Sequence, residues 1–170
     1  GIDWGKTCDR LRSLAAREEA LLLTQGFIGA TPDGAMTTLG REGSDFSAAI
    51  LAHCLDAAGL TIWKDVPGVF NADPRRFDNA RQLERLSYAE AVEQSWHGAK
   101  VIHPRTLAPL QRKAIPLTVR SFLEPGATPS RIGPEPGDGD CRPACMLRDD
   151  QRLLDISPAD FRFMDEGCLG

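Results

Sequence analysis

No two cysteines in this sequence are spaced as CxxC. Its five cysteines are Cys8, Cys54, Cys141, Cys145 and Cys168. The pair at 141 and 145 has neither a second pair nor a histidine cluster near it, so a zinc site is not expected. Reduced, mostly buried thiols are the expectation. Long apolar runs are missing too: none approaches the roughly 20 residues that span a bilayer. Positive charge is not in excess, with 20 Lys and Arg against 24 Asp and Glu and a net charge of −4. Nothing in that balance draws the chain toward nucleic acid or anionic lipid. Residues 1–17 lack the basic-then-apolar layout of a signal peptide, so a cytoplasmic location is expected by default. Neither GxxxxGK[ST] nor GxSxG occurs, which removes the P-loop and the nucleophile elbow. There is also no initiator methionine. The chain opens on Gly1-Ile2-Asp3-Trp4 and stops on Cys168-Leu169-Gly170, and both ends read as cut.

What is present is an ordinary globular composition, 42% apolar and 26% charged over 170 residues, enough for one domain and part of another. Residues 11–17 have helical spacing of Leu11, Leu14 and Ala15. The run LLLTQ at 21–25, stopped by Gly26, reads as a buried strand of a parallel sheet. A surface turn follows at 31–34 (TPDG). An alanine-rich helix is expected over 46–58, capped by Ser44 or Asp45 and ended by Gly59. Residues 60–63 (LTIW) read as a strand. Ser87 and Glu90 form a capping box that opens another helix. Pro104 sits near the first turn of a further helix, and residues 115–120 (IPLTVR) read as a strand. Strands alternating with helices argue for an α/β layered domain with a largely parallel sheet, whose ligands bind at the C-terminal strand ends. From 124 to 140 prolines and glycines dominate, which reads as a linker or long loop. Beyond it, 144–148 and 152–156 read as two short strands and 161–167 as a helix start.

Several segments could carry chemistry. In Gly40-Arg41-Glu42-Gly43-Ser44-Asp45, glycines let the backbone approach an anion. A helix N-terminus behind them supplies free N–H groups, and Arg41 could fork onto a carboxylate. The same pattern is also a common tight connection. Lys64 and Asp65 at a strand's end suit phosphate binding, although on the residues alone a surface ion pair worth little is preferred. Asp73-Pro74-Arg75 is a turn with an exposed arginine. Lys100 lies just past a helix C-terminus, where it either balances the helix dipole or reaches a phosphate. His103, before a proline, reads as structural rather than as an acid–base group.

Taken together and in order, residues 24–29 (TQGFIG), 37–52 (TTLGREGSDFSAAILA), 63–75 (WKDVPGVFNADPR), 87–91 (SYAEA) and 98–104 (GAKVIHP) resemble aspartate kinases of the amino-acid kinase superfamily. The resemblance implies the C-terminal part of an αβα sandwich over 1–133. It implies a linker over 134–141, and the start of an ACT-like α+β regulatory domain over 142–170. It implies transfer of the ATP γ-phosphate to the side-chain carboxylate of L-aspartate, giving 4-phospho-L-aspartate, with Mg2+ held mainly through the ATP phosphates. By motif matching, Phe27, Arg41, Gly43 and Ser44 fall on aspartate-binding positions, with Asp45 and Arg41 as catalytic groups. Lys64, Asp65, Phe70, Arg75, Lys100 and Val101 fall on ATP-binding positions.

Lys64 stands where many members have threonine, and a backbone contact there would survive the change. Phe70 stands where many have tyrosine, so stacking would remain but a hydroxyl contact would not. The family's opening Lys-Phe-Gly-Gly-Thr-Ser strand and turn has no counterpart here. The sequence therefore reads as a fragment with little or no turnover alone. Lysine or threonine as feedback inhibitor and a homo-oligomeric full-length protein are further implications. The alternatives are a non-catalytic nucleotide-binding or assembly fragment, and another amino-acid kinase.

Overall fold

The structure, a computed structural model, describes residues 1–17, 21–96 and 101–135. The expected linker beyond 135 and the expected ACT-like start over 142–170 lie outside the described residues, as does Lys100. Helix α1 (Trp4–Ala15) opens on Asp3, whose carboxylate accepts the Lys6 N–H at 3.0 Å. A hairpin follows, β1 (Ile28–Ala30) antiparallel to β2 (Met36–Thr38). The expected 31–34 turn forms its tip, with the Gly34 N–H donating to the Thr31 carbonyl at 2.9 Å. Helix α2 (Gly43–Cys54) leads into β3 (Leu60–Lys64), then β4 (Val69–Phe70), β5 (Gln82–Leu83) and β6 (Arg85–Ser87). Helices α3 (Tyr88–Trp96) and α4 (Pro104–Gln111) precede β7 (Leu117–Ser121) and β8 (Ser130–Gly133).

The central sheet has the order β3-β7-β8-β6. Strand β3 is parallel to β7 and β6 is parallel to β8, while β7 meets β8 antiparallel. The expectation of an α/β fold with a mainly parallel sheet holds. The core is built from Leu107, Leu110, Leu117, Val119 and Ile132, all essentially inaccessible, with Ala49 and Ile62 against them. Among the described residues no helix is long and apolar enough to cross a membrane.

Four local expectations are corrected. Residues 21–25 form no strand: Leu21 and Leu23 are 94% and 96% exposed. An apolar run is a buried strand only where neighbours cover both faces, and no described strand flanks this one. Residues 130–133, read as part of a proline-rich linker, form β8, with Ser130 and Ile132 inward. Helix α2 begins at Glu42 rather than on a Ser44 or Asp45 cap, and Glu42 is left-handed (φ 54) with no side-chain capping bond. Its end is set not by Gly59 but by Asp56 in the left-handed region (φ 52). Asp56 keeps that place through Lys113 and Arg12, whose side-chain hydrogen bonds hold its carboxyl below the usual range. By contrast the Ser87–Glu90 capping box forms as read: the Ser87 N–H donates to Glu90 Oε2 at 2.6 Å and the Glu90 N–H to Ser87 Oγ at 3.2 Å. His103 caps α4, its Nδ1 accepting the Arg105 N–H at 3.1 Å, which is the structural role expected of it.

The reading of all cysteines as reduced is also corrected, since Cys8 and Cys54 form a disulfide. It ties α1 to the C-terminal end of α2 within a small second core that includes Phe46 and Ile50. Spacing could not show this, because the two residues are brought together by helix packing across 46 positions.

Tyr88 gives a pH prediction. Its hydroxyl donates to the Ile115 carbonyl at 2.6 Å, and burial pushes its pKa up from 10.0 to about 12. The folded state therefore holds the proton more tightly than the unfolded chain. The resulting stability is complete below pH 10 and lost as pH rises toward about 12. Tyr88→Phe removes this alkaline dependence and leaves the Ile115 carbonyl unpaired, at a neutral-pH cost of about 1 kcal/mol. Denaturant titrations at pH 8 and pH 11 check both statements.

Candidate functional site

Geometry brings two distant motifs to one place. Helix α2 is about 18 Å long and β3 about 16 Å. The turn between them reverses the chain, so α2 begins where β3 ends. Asp45, in the first turn of α2, therefore meets Lys64, the last residue of β3, and Lys64 Nζ donates to Asp45 Oδ2 at 2.6 Å. Their side chains keep only 22% and 16% of their exposure, so this is more than the weak surface pair expected from the residues alone. The Lys64 carbonyl accepts the Phe122 N–H at 2.9 Å just past β7.

The hairpin closes the other side of the α2 N-terminus. A Cβ on Gly43 would sit 2.8 Å from the Phe27 ring and 3.1 Å from Leu39 Cβ, and a Cβ on Gly26 would sit 3.0 Å from Ser44 Cα. Glycine is required at both places by close approach. Phe27 is itself left-handed (φ 74). Its N–H donates to Ser47 Oγ at 2.8 Å, and Ser47 Oγ donates onward to the Gly43 carbonyl at 2.8 Å. Its carbonyl accepts the Leu39 N–H at 2.8 Å. Two non-glycine residues in the left-handed region, Phe27 and Glu42, thus flank one helix start, and Glu42 Oε2 is buried there without a hydrogen-bond partner. Strain of this kind concentrates at ligand sites. Arg105 reaches across from α4, its guanidinium 4.3 Å from the Phe46 ring centroid and donating to the Leu39 carbonyl at 3.0 Å. That contact pins the loop carrying Arg41, which is exposed.

The loop after β3 is anchored differently. A Cβ on Gly68 would fall 2.3 Å from Ser130 Oγ. That hydroxyl accepts the Val69 N–H at 2.9 Å and donates to the Leu83 carbonyl at 2.6 Å. Asp65 is exposed at the loop's start and Phe70 is half-buried on β4 opposite Gln82. Arg75 is exposed, its N–H turned onto Asp73 Oδ1 at 2.9 Å. Val101 is half-buried against the core. The structure thus gathers Phe27, Gly43, Ser44, Asp45 and Lys64 at one helix start, with Arg41 on the adjoining loop. It sets Asp65, Phe70 and Arg75 on a separate stretch held by β8. Ser47, Arg105 and Ser130 were not read as site residues. Each acts through a contact tens of positions away, apart from the Ser47 bond within its own helix, and no local pattern marks them. Among the described residues no group of three His, Cys, Asp or Glu side chains could hold a metal ion.

Comparison with known proteins gives a consistent picture. The profile of the amino acid kinase family matches residues 4–121. Lysine-sensitive aspartokinase 3 of Escherichia coli strain K12 is 42% identical over 146 residues, covering 86% of this chain and 32% of that protein. The crystal structure of E. coli aspartokinase III in complex with aspartate and ADP (R-state) superposes with a TM-score of 0.70 at 43% identity, over 76% of this chain and 29% of that one. The same enzyme with lysine and aspartate (T-state) gives 0.70 at 40% identity, over 81% and 32%. The chain spans about a third of the length of these relatives. The mixed α/β sheet, the ordered motifs and a profile that takes in most of the sequence agree: the chain belongs to the amino acid kinase family.

Proposed function

We propose that this chain carries the aspartate-recognising part of an aspartate kinase, which transfers the γ-phosphoryl group of ATP to the side-chain carboxylate of L-aspartate. The observation that carries the reading is the meeting of the Gly43-Ser44-Asp45 helix start with Lys64 and Phe27, in a chain similar to an aspartokinase whose structure holds aspartate and ADP.

The chemistry suits such a place. The nucleophile is a carboxylate, already ionised near pH 7, so no strong general base is needed and positioning with charge neutralisation suffices. Arg41 forks onto a substrate carboxylate, while the N–H groups of the α2 start and the Phe27 ring shape its pocket. Asp45 orients the cations around the reacting groups. Lys64, Asp65, Phe70, Arg75, Lys100 and Val101 form the nucleotide side, and Mg2+ arrives on the ATP phosphates. In the full-length protein, residues 142–170 begin a regulatory domain after a linker over 134–141. Lysine is favoured there over threonine as the inhibitor, because one relative is named lysine-sensitive and its T-state structure contains lysine. A homo-oligomer and a cytoplasmic location complete the reading.

The test is chemical. An acyl phosphate reacts with hydroxylamine to give a hydroxamate, with release of phosphate, and added ferric iron turns the hydroxamate into a coloured complex. Protein carrying this chain, given Mg·ATP and hydroxylamine, is expected to yield hydroxamate with L-aspartate. Hydroxamate with L-glutamate or N-acetylglutamate instead would move the assignment to another amino-acid kinase.

A further inference from the structure

We propose that Lys64 is a positioning residue that neutralises Asp45, and so keeps the start of α2 open to an anionic ligand. The reading above supplies only the identity of that ligand, the carboxylate of L-aspartate.

The backbone of Lys64 is already engaged, through its carbonyl to the Phe122 N–H and its register with Ser121. What remains is the side chain, and it ends on Asp45 Oδ2 at 2.6 Å. A carboxylate in the first turn of a helix sits well with the dipole but opposes any incoming anion. Here its charge is cancelled by an ammonium from a different element, held in place because both side chains are mostly buried. The pair adds no net charge to the helix start. The free N–H groups of the first turn, the exposed Arg41 and the Glu42 carboxylate, whose Oε2 is buried there without a partner, are then left to set the local potential. Without Lys64, a mostly buried carboxylate would face that opening with no counter-ion, a costly arrangement in its own right.

This predicts an unusual pattern of rescue. Four proteins are compared: wild type, Lys64→Met, Asp45→Asn and the double variant. Thermal midpoints are read without ligand, and Mg·ADP and L-aspartate affinities are read by calorimetry. Lys64→Met is expected to lower the midpoint by about 5 °C and to weaken L-aspartate about tenfold. The double variant, which has no bare carboxylate, is expected to recover most of both losses. Lys64→Arg, which keeps the charge, is expected to stay near wild type. A direct ligand role for Lys64, toward the substrate carboxylate or toward a phosphate, would leave the double variant as weak as Lys64→Met toward that ligand, and that result overturns the proposal while leaving the kinase reading intact. An unchanged midpoint in Lys64→Met overturns it as well. If wild type binds neither Mg·ADP nor L-aspartate while the midpoint order holds, the kinase reading falls and the charge balance stands.

Discussion

Replacing Cys8 and Cys54 by serine is expected to lower the unfolding free energy by roughly 4 kcal/mol, from the loop entropy of a cross-link across 46 positions. The bond joins two helices through the small core of Phe46 and Ile50, away from the main sheet. Without it, α1 keeps this limited apolar contact, the Trp4 ring against His53 and under the Arg112 guanidinium, and the Arg12 contact to Asp56, an exposed pair worth little. Urea unfolding of wild type with and without dithiothreitol is the check. Reduced wild type and the double serine variant should converge well below the oxidised protein. Coincident curves for oxidised and reduced protein would show that the bond carries no stability. The site end of α2 lies far along the helix from Cys54, so ligand affinities in the folded state should change little.

The second large effect falls on substrate recognition. Arg41→Ala is expected to weaken L-aspartate binding by about 10- to 100-fold, the range for losing hydrogen bonds to a charged group. Mg·ADP affinity should change by less than about twofold. The loop that presents Arg41 is fixed independently of it. The Gly43 N–H donates to the Gly40 carbonyl at 3.0 Å, and Arg105 holds the Leu39 carbonyl. Removing the guanidinium should therefore remove a contact rather than collapse the loop. Arg41→Lys keeps the charge but not the planar fork and should recover only part of the loss. Equal losses of both ligands would instead mark Arg41 as a loop-holding residue.

Local chemistry decided what could be read from the sequence. The Ser87–Glu90 box, the Pro104 helix start and the strand read over 60–63, which extends one residue further to Lys64, depend on neighbours a few positions away, and they formed. Residues 21–25 and 130–133 depend on what lies beside them in space. The leucines of the first looked buried and are exposed. The proline-rich surroundings of the second hid a strand that β6 and β7 pair from both sides. The candidate site follows the same division. Its ordered motifs were legible, and so were the residues they contain. The ion pair between positions 45 and 64, the Arg105 brace and the Ser130 anchor were not, because each arises from packing between elements.

The most direct test of the central claim is a calorimetric titration of this protein with L-aspartate in the presence of Mg·ADP, with L-glutamate as the control. Saturable, one-to-one binding of L-aspartate, weakened by Arg41→Ala and absent for L-glutamate, is the expected result. Equal binding of both amino acids, or L-aspartate binding indifferent to Arg41, would contradict an aspartate site at the start of α2.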